Sequence, residues 1–60
     1  MYLPNDPNML LSIINMKLRD EGYSSFDEMC QALDLDKEGI EKRLNEAGFE
    51  YMAAPVNQFR

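Results

Sequence analysis

The segment Ser25–Phe49 reads SFDEMCQALDLDKEGIEKRLNEAGF, and we expect it to decide the fold. Ser25 and Glu28 form the S-x-x-E capping box that marks the start of a helix. Asp36 is a suitable N-cap for a second helix, and Gly48 suits the residue that follows a helix end. The segment therefore predicts two short capped helices joined by a tight turn, which is the order of elements in a helix-turn-helix motif.

A longer helix is predicted upstream, beginning at Asp6-Pro7. Asp is a good N-cap, and Pro suits the first helical position because its missing N–H would have no partner there. Arranged at 100° per residue, the apolar side chains of this helix cover roughly 220°, about twice the stripe of an ordinary amphipathic helix. They are Met9, Leu10, Leu11, Ile13, Ile14, Met16 and Leu18. The polar strip that remains is Ser12, Asn15 and Arg19.

The predicted fold is mainly α, a three-helix, helix-turn-helix-like domain with a short C-terminal ribbon or extended tail. It forms one domain over residues 1–60, with helices at 6–21, 25–33 and 36–47 and a tail at 49–60. On the third helix the inner face is predicted to be Ile40, Leu44 and Ala47. The predicted core is Leu10, Ile14, Leu18, Phe26, Met29, Cys30, Leu33, Leu35, Ile40, Leu44 and Phe49. A bundle like a ubiquitin-associated domain is the alternative, since the same helix lengths permit it.

Composition argues against catalysis and metal binding. The chain has 60 residues, no histidine and a single cysteine, Cys30. A disulfide within the chain and a tetrahedral zinc site therefore lack the side chains they need. Cys30 falls on the apolar face of its helix and has no histidine to activate it, so we expect an inert buried thiol. The sequence thus predicts no enzyme, no catalytic residue, no metal, no cofactor and no small-molecule substrate.

The sequence also bears on the cellular compartment of the protein and on whether it contacts a membrane. Residues 1–6 lack the basic start of a signal peptide, and a lone cysteine suits a reducing compartment. The longest apolar stretch, Met9–Leu18, contains polar residues and falls short of the ~20 residues that a bilayer span needs. We therefore expect a cytoplasmic protein that makes no membrane contact.

DNA binding is the alternative function, because a helix-turn-helix can serve a DNA-binding or accessory transcription-regulatory protein. Its contacts would come from Lys37, Lys42 and Arg43 on the third helix. Three glutamates on the same helix leave it electrically neutral, and the whole chain has a net charge of −5. That charge disfavours phosphate backbones and anionic membranes, so nucleic acid ranks below protein as a partner.

Protein–protein interaction is the favoured function, because the first helix has more apolar surface than the rest of the chain can cover. Met9, Ile13 and Met16 lie on a face that two other helices cannot also cover, and flexible methionine suits interaction surfaces. We predict a non-enzymatic interaction or self-association module whose partner is a protein or a second copy in a homo-oligomer. Tyr51 and Phe59 of the tail are the other candidate contact residues. In the competing arrangement, the aromatic tail folds back and covers the same face.

Three strings in the sequence are specific enough to suggest a family. They are LPNDPNMLLS at 3–12, NMKLRD at 15–20 and NQF at 57–59. Together they resemble a short bacterial family of domains of unknown function, and the resemblance extends from Leu3 to Phe59. It implies a free-standing small bacterial protein, and it implies no activity, cofactor or partner.

Overall fold

The computed structural model describes residues 3–60 and shows three helices followed by a two-stranded antiparallel ribbon. The elements are α1 (Pro7–Asp20), α2 (Phe26–Leu33), α3 (Lys37–Glu46), β1 (Tyr51–Met52) and β2 (Gln58–Phe59). The predicted fold class is confirmed, and each helix ends within one residue of its predicted bounds. Residues 1–2 of the predicted domain lie outside the described residues. Over residues 3–60, no helix combines the length and the apolar character needed to cross a membrane.

Each helix begins at a side-chain cap. Asp6, Ser25 and Asp36 precede the three helices, and each accepts a hydrogen bond from a backbone N–H of the first turn. The capping box of α2 differs in one bond from the predicted form. The carboxylate of Glu28 accepts from the backbone N–H of Ser24 at 2.7 Å, one residue before the cap itself. These bonds satisfy backbone donors that a helix leaves unpaired at its start.

Gly39 lies in the first turn of α3, next to the Asp36 carboxylate. A Cβ added at Gly39 would lie 2.5 Å from Oδ2 of Asp36, which is closer than carbon and oxygen can approach. Glycine costs a helix about 1 kcal/mol relative to alanine. The Asp36 N-cap, whose carboxylate accepts from the Gly39 N–H, stabilises the helix by a similar amount. Glycine at position 39 leaves room for that carboxylate, so the cap offsets the cost of the glycine.

The predicted tight turn between α2 and α3 consists of Asp34, Leu35 and Asp36. Asp34 reverses the chain in the left-handed region, with φ of 56°. The backbone N–H of Leu35 donates to the carbonyl of Cys30 at 2.9 Å, which satisfies an acceptor in the last turn of α2. Gly48 occupies the corresponding place after α3, with φ of 95°.

Nine buried side chains from the helices and the ribbon form the core. They are Leu10, Ile14, Leu18, Phe26, Met29, Cys30, Ile40, Leu44 and Phe59. The helical face patterns predicted all of these except Phe59. Leu33, Leu35 and Phe49, predicted as core, are only half-buried against it, because they flank the places where the chain leaves a helix. Ala47, predicted to face inward, is exposed at the C-cap of α3.

Phe59 belongs to the core, which corrects its prediction as a contact residue. Its side chain is only 2% exposed. The rings of Phe59 and Phe26 pack edge to face at a centroid distance of 4.9 Å, and the Phe59 ring lies 5.3 Å from the ring of Tyr51. Aromatic pairs at such distances stabilise a core beyond the area that they bury. The ribbon thus completes a core that the three short helices leave open.

Asn15 of α1 holds the ribbon by its outer edge. In an antiparallel ribbon, hydrogen-bonded pairs of residues alternate with pairs that share no backbone hydrogen bond. Glu50 and Arg60 form a hydrogen-bonded pair, with N–H to carbonyl distances of 2.8 and 2.9 Å. The next pair, Tyr51 and Phe59, therefore shares no backbone hydrogen bond. The backbone groups of Phe59 therefore point away from β1. Its N–H donates to Oδ1 of Asn15 at 2.8 Å, and its carbonyl accepts from Nδ2 at 3.0 Å. The amide takes the place of a third strand.

Replacing Asn15 with leucine tests this contact, because leucine keeps the size of the side chain and removes both bonds. We expect Asn15→Leu to lower the free energy of unfolding by about 2 kcal/mol, since two part-buried backbone groups of Phe59 lose their partner. In a domain of this size, that loss lowers Tm by about 10 °C, measured by circular dichroism.

Asn45→Leu is the matched control, because Asn45 is exposed on α3 and its side chain makes no hydrogen bond within residues 3–60. Its Tm should stay within about 3 °C of the unchanged chain, as is usual for surface substitutions. Equal melting temperatures for the unchanged chain and Asn15→Leu would contradict the assigned role of the amide.

Candidate interaction surface

Helix α1 buries one face and exposes another. The buried face consists of Leu10, Ile14 and Leu18. On the other side, Met9 is 56% exposed and Met16 is 47% exposed, while Ile13 between them is half-buried. The two methionines are seven positions apart in the sequence, so they lie on the same side of the helix, about 10 Å apart along its axis. We call Met9, Ile13 and Met16 the methionine stripe.

The C-terminal tail folds back onto α1 but leaves the methionine stripe exposed. Its hydrogen bonds to α1 are made with Asn15, whose side chain points about 100° around the helix from that of Met16. The rings of Tyr51 and Phe59 pack on each other and on Phe26, toward the core. The competing prediction, in which Tyr51 and Phe59 cover the methionine stripe, is therefore wrong.

Tyr51 is half-buried and belongs to the joint between the tail and the helices. Its hydroxyl accepts a hydrogen bond from the backbone N–H of Phe26 at 3.2 Å and donates one to Oδ1 of Asn57. The amide nitrogen of Asn57 donates to the carbonyl of Tyr23 at 2.9 Å. Asn57 has φ of 52°, a conformation that asparagine adopts more readily than most residues. The structure thus gives Tyr51 internal partners, and the stripe residues remain the outward-facing candidates.

A second exposed apolar segment lies in the loop of the ribbon, Met52–Val56. Met52 is 44% exposed and Val56 is 36% exposed. Sequence reasoning missed Met52, although the period of two along a strand places it on the side opposite Tyr51. The loop also contains a cis peptide bond between Ala54 and Pro55.

The three basic residues of α3 do not come together on one face. Lys37 lies 3.5 Å from Asp27 and 3.8 Å from Glu41, so carboxylates surround its ammonium group. Lys42 and Arg43 follow at about 140° and 240° around the helix from Lys37. A reader of the major groove presents basic and amide side chains free of neighbouring carboxylates, whereas Lys37, Lys42 and Arg43 are spread around α3 among three glutamates.

Two surface depressions lie beside α3. One, of about 490 Å³, runs along α3 and is lined by Glu38, Glu41, Lys42, Asn45 and Glu46. The other, of about 300 Å³, lies beside the turn before α3 and is lined by Leu3, Asp34, Leu35, Asp36, Gly39, Ile40 and Arg43. Over residues 3–60, no three histidine, cysteine or carboxylate side chains are grouped closely enough to hold a metal ion.

Cys30 is a free thiol in the core, only 4% exposed. Burial raises the pKa of this thiol, and the positive charge of Lys37 opposes the shift only in part. Since the thiolate is the reactive form, a raised pKa and limited access both make the group slow to react. The environment of Cys30 therefore suits a packing role.

Comparison with known proteins places the chain in a family. The model of a domain of unknown function (DUF4250) matches residues 4–59, which is nearly the whole chain. No curated protein and no solved structure matches it. The resemblance to a family of domains of unknown function is thereby confirmed at the level of the family.

The burial of Cys30 gives a chemical test of the packing. We expect a chromogenic disulfide reagent to react with the folded chain at pH 8 at least about tenfold more slowly than with the chain unfolded in urea. The pH at which the folded chain reaches half its maximal rate should also be higher, because the raised pKa delays formation of the thiolate. Equal rates in the two states would contradict the buried position.

Proposed function

This chain belongs to the DUF4250 family of domains of unknown function, and we propose that it acts as a non-enzymatic protein–protein interaction module. The contact surface in this proposal is the methionine stripe of α1. The observation that carries it is the exposure of Met9 and Met16, 56% and 47%, on a helix whose other apolar face is already filled by the core. We further propose, from the sequence, that the protein is bacterial and cytoplasmic.

The absence of charge around the stripe supports a contact with protein. The chain has 17 charged residues, 6 basic and 11 acidic, and all of them lie outside Pro7–Met16. An ordinary surface helix carries charged side chains on its outer face, whereas the exposed side chains of these ten residues are two methionines and the small polar residues Asn8 and Ser12. Exposed apolar surface without charge is a feature of interaction sites.

The rigid attachment of α1 also supports the proposal. Core packing of Leu10, Ile14 and Leu18 fixes the rotation of the helix about its axis, and the two bonds from Asn15 fix it from a second side. The methionines cannot turn inward without breaking these contacts. A partner therefore meets a helix that is already ordered, so binding loses little backbone entropy. The flexible methionine side chains can still adapt to its surface.

The non-enzymatic part of the proposal rests on the side chains that the chain contains. It has no histidine, and its one cysteine is a core residue. Its carboxylates lie at helix ends and on solvated faces, where the desolvation that tunes an acid or a base for catalysis is missing.

Photo-crosslinking in the native cell tests the proposal. A benzophenone amino acid at position 16 should crosslink to protein, because the stripe is the contact surface, whereas the same amino acid at position 32 should not. Ala32 is the matched control, since it is an exposed position on α2. The products would be measured by immunoblotting against a tag on the chain.

A second substitution separates binding from folding. Met9→Glu should lower the crosslink yield at position 16 by about tenfold, because the interface would have to bury an unpaired carboxylate. Its Tm should change by less than about 3 °C, since Met9 is exposed. Equal crosslinking at positions 16 and 32 would refute the proposed function.

A further inference from the structure

We infer that Met9 and Met16 are sites of reversible oxidation by peroxide, and that their sulfoxides weaken the contact made by the methionine stripe. The effect on the contact rests on the proposed function, whereas the oxidation itself depends only on the structure of the chain. Three observations carry the inference: where the methionines lie, what shields the other sulfur atoms, and what a sulfoxide changes at the stripe.

Methionine is the main large apolar residue at the surface. Of the four large hydrophobic side chains exposed within residues 3–60, three are methionines: Met9, Met16 and Met52. The core contains one methionine, Met29, among its nine side chains. Every leucine, isoleucine and phenylalanine of the described residues is buried or half-buried. The chain thus exposes the one large apolar side chain whose sulfur accepts an oxygen atom.

The sulfur atoms that would compete for peroxide are shielded in the core. Met29 is 0% exposed and Cys30 is 4% exposed. Peroxide reacts with the thiolate form of cysteine, and burial raises the pKa of the Cys30 thiol, so little thiolate forms near neutral pH. Peroxide therefore reaches the exposed thioethers before it reaches the core, and the fold survives the reaction.

The oxidation balances with hydrogen peroxide as the oxidant. A lone pair on the methionine sulfur attacks one peroxide oxygen, so a sulfur–oxygen bond forms and the oxygen–oxygen bond breaks. The other oxygen leaves as hydroxide and takes the proton of the transferred hydroxyl group, which gives the sulfoxide and water. Methionine sulfoxide reductases reverse the change with two electrons from a dithiol, which becomes a disulfide, and the oxygen leaves as water.

A sulfoxide changes the stripe from apolar to polar. No charged residue lies within Pro7–Met16, so the exposed apolar surface of this stretch comes mainly from Met9 and Met16. Oxidation gives each of them a strong hydrogen-bond acceptor, and a partner that covered the stripe would have to bury both oxygens. Burial of a polar group without a hydrogen-bond partner is unfavourable, so the sulfoxides oppose the contact.

Peptide mass spectrometry tests where the chain is oxidised. With hydrogen peroxide at pH 7, Met9 and Met16 should gain about 16 Da at least about tenfold faster than Met29, because they are exposed. In urea the three rates should become equal. The Tm of the oxidised chain should stay within about 3 °C of its starting value. Oxidation of Met29 as fast as Met9 and Met16, or unfolding when these two are oxidised, overturns the inference.

Crosslinking from position 12 tests the effect on the contact. Ser12 is exposed and lies within about 60° of both stripe methionines around the helix, so a benzophenone amino acid there samples the same surface. The purified chain is oxidised, freed of peroxide and mixed with a lysate of the native cell. Its crosslink yield, measured by immunoblotting, should fall about tenfold, because the sulfoxides oppose burial.

Leucine variants separate this effect from other consequences of peroxide. The double variant with Met9→Leu and Met16→Leu keeps the stripe apolar and removes its thioethers, so its crosslink yield should not respond to peroxide. The matched control Met52→Leu, at an exposed position of β1 outside the stripe, should respond like the unchanged chain.

The outcomes distinguish this inference from the proposed function. An unchanged yield after full oxidation of Met9 and Met16, or an equal fall in the double variant, overturns the effect on the contact and leaves the proposed function standing. A chain that makes no crosslink from position 12 before oxidation refutes the proposed function and the effect that rests on it. The sites of oxidation are decided by mass spectrometry in either case.

Discussion

The side-chain amide of Asn15 bonds both backbone groups of Phe59, and the position of the C-terminal ribbon on α1 depends on that contact. Two strands of two residues each do not form a stable ribbon in water by themselves. Asn15 gives β2 the partner that a third strand would give, so the ribbon is held against α1. Phe59 can then bury its ring against Phe26, and burial of a phenylalanine side chain contributes about 2 to 3 kcal/mol. In a domain this small, that is a large part of the net stability.

The same contact determines which surface α1 presents to solvent. Leu10, Ile14 and Leu18 occupy one face of the helix, and Asn15 ties the adjacent face to the tail. Met9 and Met16 are left on the remaining face, so their exposure follows from how the fold is closed. The geometry that completes the core is therefore also the geometry that leaves an apolar stripe outside.

Local signals predicted the helices well, and long-range contacts account for the differences. Asp6, Ser25 and Asp36 mark the helix starts because a cap acts on backbone groups only two or three residues away. Asn15 reads as part of a polar strip, since its partner Phe59 is 44 positions further along the chain. The position of Asn15 beside the core face was the available clue, because a polar group at the edge of a core needs a partner.

The candidate surface was predictable in part, for the same reason. The width of the apolar arc on α1 follows from residue spacing alone, so Met9 and Met16 could be identified from the sequence. The sequence could not show which side of that arc the tail would use, because both sides offered apolar contacts. Phe59 and Tyr51 were assigned to the surface on their aromatic character, whereas their positions depend on the register of the ribbon and on the Tyr51–Asn57 hydrogen bond.

The helix-turn-helix arrangement of α2 and α3 need not indicate DNA binding, because the turn forms without a basic surface and the surface of these helices is largely acidic. The turn of Asp34, Leu35 and Asp36 orders α2 and α3 by local hydrogen bonds, and none of those bonds requires a basic outer face. Acidic side chains cover the outer surfaces of α2 and the turn, and they alternate with basic ones on α3. The methionine stripe, by contrast, lies within Pro7–Met16, a stretch without any charged residue in a chain whose net charge is −5.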